Sequence, residues 1–599
     1  MKKYRENILV RSIAVAFGAI FLYTAFFGIF VPSVQRSVHL LFTMVLGFLL
    51  YTPFPGRGHK ALYTVMDGAL ALLSLFIFGY FFLNQEILTN WIVFVSPFEA
   101  KDFAISIVAT VLVVEVGRRA TGYALPIVSL VFLLYGKFGN YLPGTLHHNG
   151  FSWQKLMEFT YYGFDGIFGL PMAVSATFII IFITFGCFFE LAGGGDAMMD
   201  LGKYLCGRYR GGPAKIAVVG SGLFGTISGS AVANVYATGT FSIPLMKKLG
   251  FRPSVAGAVE ACASTGGQIA PPVMGAAAFV MAEFIGLPYA KIIAYAAIPA
   301  ILYYFALFMH VDLEAGKTGL KGVPAEELPS GKQVRSHLPI LFPIVVLIAL
   351  LVRGYSAMMA GGYATLAIVI VSWFDKNRAN AMTPTRILKA LELSGRRTVT
   401  IAVACALSGI IIGVVQYTGL GMNFVGMVSS LSGTAWICPI LVAVASIILG
   451  MGVPTTVAYI IVVAVSVPAM KHLGFGVLPS HMFAFYFAVI SMITPPVAPA
   501  SLAASELAGE KFFSVGWEAC KMGFITFLIP FMFLYEPALL LQGSVGEILW
   551  VFASTSVAVV AVTIAIRGWW GIPATMVERF FFAGGGLMTM IPGYTNDLI

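Results

Sequence analysis

The sequence predicts an all-α polytopic membrane protein built on inverted repeats, with two re-entrant hairpins and two broken helices. Three observations carry that expectation. Hydrophobic residues make up 59% of the 599 residues and charged residues only 10%, against about 25% charged in a soluble domain. The mean hydropathy is +0.90, and apolar runs of about 20 residues recur, the length that crosses a hydrocarbon core of about 30 Å. Two stretches also repeat each other at one fixed offset. So few charges could not cover a globule of this size in water, which excludes a soluble enzyme, a nucleic-acid binder and a disordered scaffold.

The net charge of +10 is read through its placement, because Lys and Arg cluster in short loops that face the cytoplasm. Cys187, Cys206, Cys262, Cys405, Cys438 and Cys520 lie in or beside apolar runs without CxxC spacing, so they read as small buried hydrophobes. His147-His148 is the only histidine pair and reads as interfacial.

The chain opens Met1-Lys-Lys-Tyr-Arg, followed by an apolar run to Val31 with no small-x-small cleavage site. That pattern predicts an uncleaved first span with a cytoplasmic N-terminus, in a bacterial inner membrane. Spans at 12–31, 36–52, 62–83 and 102–117 alternate with cytoplasmic basic segments: Lys2, Lys3, Arg5 and Arg11, then Arg57, His59 and Lys60, then Arg118 and Arg119. Glu115 is one turn before those arginines and is expected to be neutralised by them. A span at 123–138 leads out to an interfacial stretch rich in Trp, Tyr and His (142–165). The run 169–190 returns inside to Lys203, Arg208, Arg210 and Lys215.

Residues 216–246 carry positive charge at both ends, so both ends face the cytoplasm. The stretch is predicted as a re-entrant hairpin whose tip is Gly225-Thr-Ile-Ser-Gly-Ser-Ala-Val-Ala-Asn234. Irregular backbone at that depth is tolerated only inside protein or against a water-filled cavity. Further spans follow at 253–286 (broken at Pro271-Pro272), 292–311, 338–352, 357–374 and 398–417. Charged loops are expected at 312–337 and 375–397, and C-terminal spans at about 547–592.

Pro244-Leu-Met-Lys-Lys-Leu-Gly-Phe251 matches Pro468-Ala-Met-Lys-His-Leu-Gly-Phe475, and 468 − 244 = 224. Ile269-Ala-Pro-Pro-Val273 matches Ile493-Thr-Pro-Pro-Val497, and 493 − 269 = 224 again. Two linked matches in one register mark a duplication, with repeats at about 169–311 and 398–536. Five spans separate the two copies. That odd number inverts the second hairpin, at about 436–470. Inverted repeats with broken helices meeting near the midplane mark a secondary transporter, with its site at the repeat interface.

The chemistry of the breaks follows from proline, which removes a donor and displaces the carbonyl four residues earlier. Unwound carbonyls suit Na⁺, and half-helix N-termini suit a carboxylate. The candidate Na⁺ ligands are Gly225, Ser228, Gly266, Gly267, Gly452, Pro454, Ser491 and Thr494. The candidate substrate ligands are Ser228, Ser230, Asn234, Thr265, Gln268, Thr455, Thr456 and Thr494. The carbonyls of Gly267, Gln268, Ser491 and Met492 are those the prolines should free.

Glu260 lies about two turns before the first break. A carboxylate at the helix centre costs at least about 2.5–3.5 kcal/mol on insertion scales. It is either a proton carrier, a residue that orients the ion site, or a buried acid bonded to its neighbours. Glu190 and Glu283, nearer span ends, read as interfacial. Importing a dianion against 100 mV costs about 4.6 kcal/mol, which two co-transported cations cancel and a third exceeds. No P-loop is present, so the drive is an ion gradient. No resident cofactor is expected, only co-transported Na⁺ or H⁺.

Gly212-Gly-Pro-Ala-Lys, Gly225-Thr-Ile-Ser-Gly-Ser-Ala-Val-Ala-Asn-Val, Ala258-Val-Glu-Ala-Cys-Ala-Ser-Thr-Gly-Gly-Gln-Ile-Ala-Pro-Pro-Val-Met-Gly and Leu449-Gly-Met-Gly-Val-Pro-Thr-Thr resemble the fused membrane subunit of tripartite ATP-independent periplasmic (TRAP) transporters, nearest the TAXI subclass. The resemblance implies a small-subunit-like region over residues 1–145 and a large-subunit-like region over 146–599. It also implies an elevator with scaffold and transport domains, a periplasmic TAXI-type binding protein, and import of an organic acid such as 2-oxoglutarate or a C4-dicarboxylate. A single membrane unit is expected. Ser228-Gly-Ser230 in one copy stands against Gly452-Val-Pro454 in the other, so the two ion sites differ chemically. A proton-coupled version using Glu260 and a stand-alone Na⁺/dicarboxylate symporter remain alternatives. A channel would need a ring of pore acids, and an enzyme a nucleophile set or metal cluster; the sequence has none of these.

Overall fold

Ten helices among the described residues are long and apolar enough to cross a bilayer. The number becomes eleven if the pair Phe512–Met522 and Phe524–Tyr535, bent by 41°, counts as one span. The structure, a computed structural model, describes residues 7–53, 61–375, 378–430 and 436–590. The basic residues Lys2, Lys3, Arg5, Arg57, His59 and Lys60, on which part of the predicted orientation rests, lie outside these. The helices Ile8–Phe27, Pro32–Leu50, Ala61–Leu83, Ala100–Thr121 and Ala124–Phe138 follow the predicted N-terminal spans to within a few residues. Glu115 accepts from Arg118 at 2.8 Å and from Arg119 at 2.7 Å, and Arg119 also reaches Asp67 at 2.6 Å. The predicted span 169–190 is a helix from Leu170 to Leu191 that loosens into a π turn at Ser175–Ile179.

Two predicted loops are corrected. The segment expected as a loop at 375–397 is helical from Pro384, the start of a 35-residue helix to Thr418. Its inward-facing charges are accommodated by pairing, and Lys389 is exposed. Glu392 bonds Arg396 at 2.8 Å within the helix and Arg11 at 3.3 Å across to the first span, while Arg397 bonds Glu190 at 2.6 Å. The loop expected from 312 begins only after Thr318, where Gly319 ends the helix that starts at Tyr289. The Asp312 carboxylate pairs there with Lys215 at 2.6 Å and with Arg210. At the C-terminus, Val545–Arg567 is long enough to span, whereas Met576–Met588 has 13 residues. At 1.5 Å per residue it rises about 20 Å, short of a full crossing.

The duplication is visible in the element boundaries. Hairpin 1 consists of Gly212–Ser228 and Ala231–Lys248, joined at Gly229, whose φ of 64° lies in the left-handed region. Hairpin 2 consists of Ile437–Gly450 and Thr455–His472, turning through Gly452 at φ 75°. Adding 224 to 231–248 gives 455–472, and adding it to the helix Pro253–Gly266 gives Val477–Ile490. Each of those last two helices stops at a Pro-Pro break and resumes, as Ala276–Ile285 and as Pro499–Ala508.

The copies interlock. The outgoing arm of hairpin 1 packs on Pro499–Ala508 of the second copy, and the outgoing arm of hairpin 2 packs on Ala276–Ile285 of the first. Reciprocal contacts of this kind follow when two copies are related by a two-fold axis. The long helix Pro384–Thr418 packs against Ile8–Phe27, Pro32–Leu50, Ala100–Thr121, Ala124–Phe138 and Ile180–Leu191, and also meets hairpin 2. It therefore joins the N-terminal spans to the repeat region.

Candidate functional site

In the first copy, the hairpin tip and the break press together. A Cβ on Gly225 would stand 2.9 Å from Gly267 Cα and 2.8 Å from Asn234 Nδ2, so neither glycine can carry a side chain without displacing the other segment. Met274 N donates to Thr226 O at 3.1 Å, and Gly275 N donates to Gln268 O at 2.7 Å. The Gln268 carbonyl is thus already used. So is that of Met492, which accepts from Ala500 N at 2.9 Å. Both were expected to be freed by the prolines. The chain folds back after each break and supplies the missing N–H from further along.

Three predicted residues of this copy carry polar atoms that are buried and have no hydrogen-bond partner: Ser228 Oγ, Thr265 Oγ1 and Gln268 Nε2. Buried polar atoms are nearly always satisfied, and each exception asks for a reason such as an absent ion or ligand. Their concentration on one tip and one break fits a ligand at that place. In the second copy Ser491 Oγ donates to Gly450 O at 3.2 Å and so closes the tip–break contact itself, while Thr494 Oγ1 donates to Ile490 O at 2.9 Å within the break. The tip of hairpin 2 sits against the second break and beside the N-terminal spans. A Cβ on Gly452 would meet Val497 at 3.4 Å and Ala124 at 3.8 Å. Pro454 caps the buried Thr455 and Thr456 at the start of the outgoing arm.

A cavity of about 590 Å³ opens beside the tip of hairpin 1. Ser228 and Ser230 line it together with Tyr51, Glu190, Arg397 and Thr400. Ser230 caps the helix that starts at Ala231, accepting from Ala233 N at 3.4 Å, so that helix's N-terminus faces the cavity. The wall opposite is the Arg396–Thr400 stretch of the long helix. The other predicted substrate residues do not line it: Asn234, Thr265, Gln268, Thr455, Thr456 and Thr494 lie behind the tip, in the break or in the second copy.

Sequence reasoning missed Arg396, Arg397 and Thr400 by assigning the two arginines to a loop. Glu190, expected near a span end, lines the cavity and pairs with Arg397. Glu283 is exposed. Outside the cavity, His148 Nε2 lies 3.0 Å from Tyr135 O in a backbone contact, and five of the six cysteines are buried as free thiols. Among the described residues no cluster of His, Cys, Asp and Glu could hold a metal.

Behind the tip lies a polar cluster around Glu260, which is fully buried. Its Oε1 accepts from Thr238 at 2.6 Å, Ser221 at 2.8 Å and Ser264 at 3.1 Å, and its Oε2 accepts from Ser242. Asn234, predicted at the tip, instead turns inward and donates to Ser221 O at 2.9 Å and Ser221 Oγ at 3.2 Å. Asn234, Thr238 and Ser242 follow one another at i, i+4 and i+8, the spacing that puts them on one helix face. That stripe was the available signal for the cluster.

Comparison with known proteins gives a consistent picture. Residues 108–548 match the family described as "Tripartite ATP-independent periplasmic transporter, DctM component". The chain is 24% identical over 362 residues to the uncharacterized protein YgiK of Salmonella typhimurium, covering 59% of this chain and 82% of that protein. It is 22% identical over 320 residues to the C4-dicarboxylate TRAP transporter large permease protein DctM of Pseudomonas aeruginosa, covering 53% and 74%. It is also 22% identical over 366 residues to the sialic acid TRAP transporter permease protein SiaT of Haemophilus influenzae, covering 58% and 55%. Among solved structures, the YdaH transporter of Alcanivorax borkumensis shares 13% identity with a TM-score of 0.48, over 69% of this chain and 97% of that one.

Proposed function

Since the chain belongs to the family of tripartite ATP-independent periplasmic transporters, DctM component, we propose that it imports a small organic acid on a Na⁺ gradient. The family, DctM of Pseudomonas aeruginosa and SiaT of Haemophilus influenzae are transporter permeases rather than enzymes, and the family works with a periplasmic substrate-binding protein. The chain is a multi-pass membrane protein.

The cavity at the tip of hairpin 1 carries the substrate reading. An anion there meets the N-terminus of the Ala231–Lys248 helix on one side and the Arg397 guanidinium on the other. A helix N-terminus favours negative charge, and a guanidinium matches a carboxylate with two parallel N–H donors. Arg397 is already paired with Glu190, at 2.6 Å and 3.2 Å. A substrate carboxylate can take the place of Glu190 on that fork, which makes the ion pair a placeholder for an acid. A dicarboxylate such as 2-oxoglutarate or a C4-dicarboxylate fits this chemistry, its second carboxylate facing Ser228 and Ser230.

The unpartnered oxygens of Ser228 and Thr265, beside Gly225, Gly266 and Gly267, support a Na⁺ site between tip and break. Gly452, Pro454, Ser491 and Thr494 would hold its counterpart in the second copy. Hairpins that pack on each other's broken helices form one body able to slide against a fixed part, the arrangement an elevator needs. The fixed part would be residues 1–145 with the long helix, acting as a small subunit fused to the large one. The remaining elements of the proposal are an inner-membrane location, a cytoplasmic N-terminus, a TAXI-type binding protein and a single membrane unit. They rest on the distribution of basic loops and on the motif resemblance.

A thiol-protection experiment tests the site. In Ser230→Cys, a soluble maleimide should label the protein above the wild-type background, and 2-oxoglutarate or a C4-dicarboxylate with Na⁺ should slow that labelling. Labelling that no organic acid slows would place the substrate elsewhere.

A further inference from the structure

The polar cluster around Glu260 exists in one copy of the repeat only. At positions 224 residues on, Ser221, Thr238, Glu260 and Ser264 are answered by Ala445, Val462, Ala484 and Ala488. Ser242 alone keeps its hydroxyl, as Ser466, and the buried Ser466 Oγ has no hydrogen-bond partner. The two copies nevertheless form the same helices to the residue, 231–248 against 455–472 and 253–266 against 477–490. Alanine and valine therefore suffice to build this unit, and the carboxylate is not what holds it together. A buried carboxylate that the fold does not need asks for another role, because its desolvation costs several kcal/mol.

The partners of Glu260 narrow that role. Among the described residues no ion pair reaches it. The incoming hairpin arm presents Ser221, the outgoing arm presents Thr238 and Ser242, and its own helix presents Ser264. Around its helix, Tyr304 donates to Ala263 O at 3.0 Å, Tyr303 to Cys262 O at 2.7 Å, and Cys262 to Ala519 O at 3.4 Å. The charged groups nearby are paired with one another: Glu518 of Phe512–Met522 with Lys521 at 3.1 Å and Arg567 at 3.6 Å, and Arg252 at the helix start with Glu314 at 2.9 Å, while Glu506 accepts from Tyr236 at 2.7 Å. Val477–Ile490 brings Tyr486 beside Tyr303, while its His481 is occupied by Tyr459 at 2.7 Å. From Pro499–Ala508 comes the apolar Leu507. It and the Glu260 Cγ both lie 3.1 Å from where a Gly239 Cβ would stand.

An all-hydroxyl shell suits two protonation states. The ionised carboxylate accepts from all four hydroxyls. The protonated acid donates to one of them, which turns its own hydrogen elsewhere, so no hydrogen bond is lost. Lysine or arginine partners would instead hold the group ionised. The cluster also reaches the tip: Ser221 bonds both Glu260 and Asn234, and the Asn234 amide abuts Gly225.

We propose that Glu260 is a proton-binding site that loads and empties once per transport cycle. It gives the first copy a titratable cation site that the second copy lacks, separate from the carbonyl-lined sites at the breaks. A proton from the aqueous side neutralises the carboxylate, and its release restores the charge. The proposal rests on the ion-coupled import proposed above.

Infrared difference spectra of the reconstituted full-length protein between acidic and alkaline buffer test it. The wild type should show the carbonyl stretch of a protonated carboxyl group that Glu260→Gln loses. A graft of the second copy's residues (Ser221→Ala, Thr238→Val, Glu260→Ala, Ser264→Ala) should fold with wild-type thermal stability and lack the same band. Identical difference spectra in wild type and Glu260→Gln would overturn the proposal, since Glu260 would then keep one state throughout. A graft that fails to fold, together with identical Glu260→Gln spectra, would make the cluster a structural pin. Stabilisation by Na⁺, read on the same samples as a shift in unfolding temperature, reports on the carbonyl sites independently. Its absence would remove the Na⁺ reading while leaving the carboxyl band to decide Glu260.

Discussion

Arg397→Ala is expected to lower uptake by about 10- to 150-fold at limiting substrate. The estimate takes a hydrogen bond to a charged group as worth about 1.5–3 kcal/mol and converts it at 1.4 kcal/mol per decade. The side chains of Arg397 and Glu190 are 48% and 40% exposed, so water replaces the lost partner and the protein should stay folded. Arg397→Lys keeps the charge but loses the planar fork that matches a carboxylate, and should fall between alanine and wild type. The check is initial uptake rate, with the amount of protein in the membrane measured in parallel. Wild-type uptake by Arg397→Ala would separate this arginine from substrate binding.

Ser230→Trp and Thr494→Trp should each abolish uptake without loss of protein from the membrane. Ser230 lies at the mouth of the cavity and caps the helix behind it. An indole there fills the space between tip and long helix, while loss of the cap costs only about 1 kcal/mol. Thr494 lies in the second break, where its hydroxyl ties the unwound turn back to Ile490. A tryptophan must push the break away from the hairpin and spoil the second ion site. The readout is uptake alongside thermal unfolding. Full uptake in both variants would detach the tips and breaks from transport.

The helices and the duplication were legible in the sequence, and the reason is physical. A span needs a run of apolar residues that nothing else in the chain needs. A duplication in one register preserves the prolines and glycines that fix where helices stop. The offset of 224 predicted the second hairpin and second break; the boundaries agree to the residue for the outgoing arm and the helix before the break, and to within two residues for the incoming arm and the helix after it. The Arg396–Arg397 wall of the cavity was not legible, because a hydropathy window treats a charged helix end and a charged loop alike. Glu392 pairs with Arg396 and Glu190 with Arg397, and Glu190 is distant in sequence, as is Arg11, the second partner of Glu392. Asn234 was misplaced for a related reason. Nearness to the tip suggested a ligand, whereas its spacing to Thr238 and Ser242 puts it on the face that meets Glu260. The freed carbonyls failed at Gln268 and Met492 because the sequence does not show the chain folding back on itself to supply a donor.

Uptake by the purified chain in proteoliposomes tests the central claim most directly. Labelled 2-oxoglutarate and C4-dicarboxylates would be offered with and without the cognate periplasmic binding protein, under an imposed Na⁺ gradient or an imposed pH gradient. The account predicts accumulation that requires both the binding protein and the Na⁺ gradient, and that Arg397→Ala sharply reduces. Accumulation without the binding protein would contradict it in favour of a stand-alone symporter, and accumulation indifferent to Na⁺ would contradict the assigned coupling.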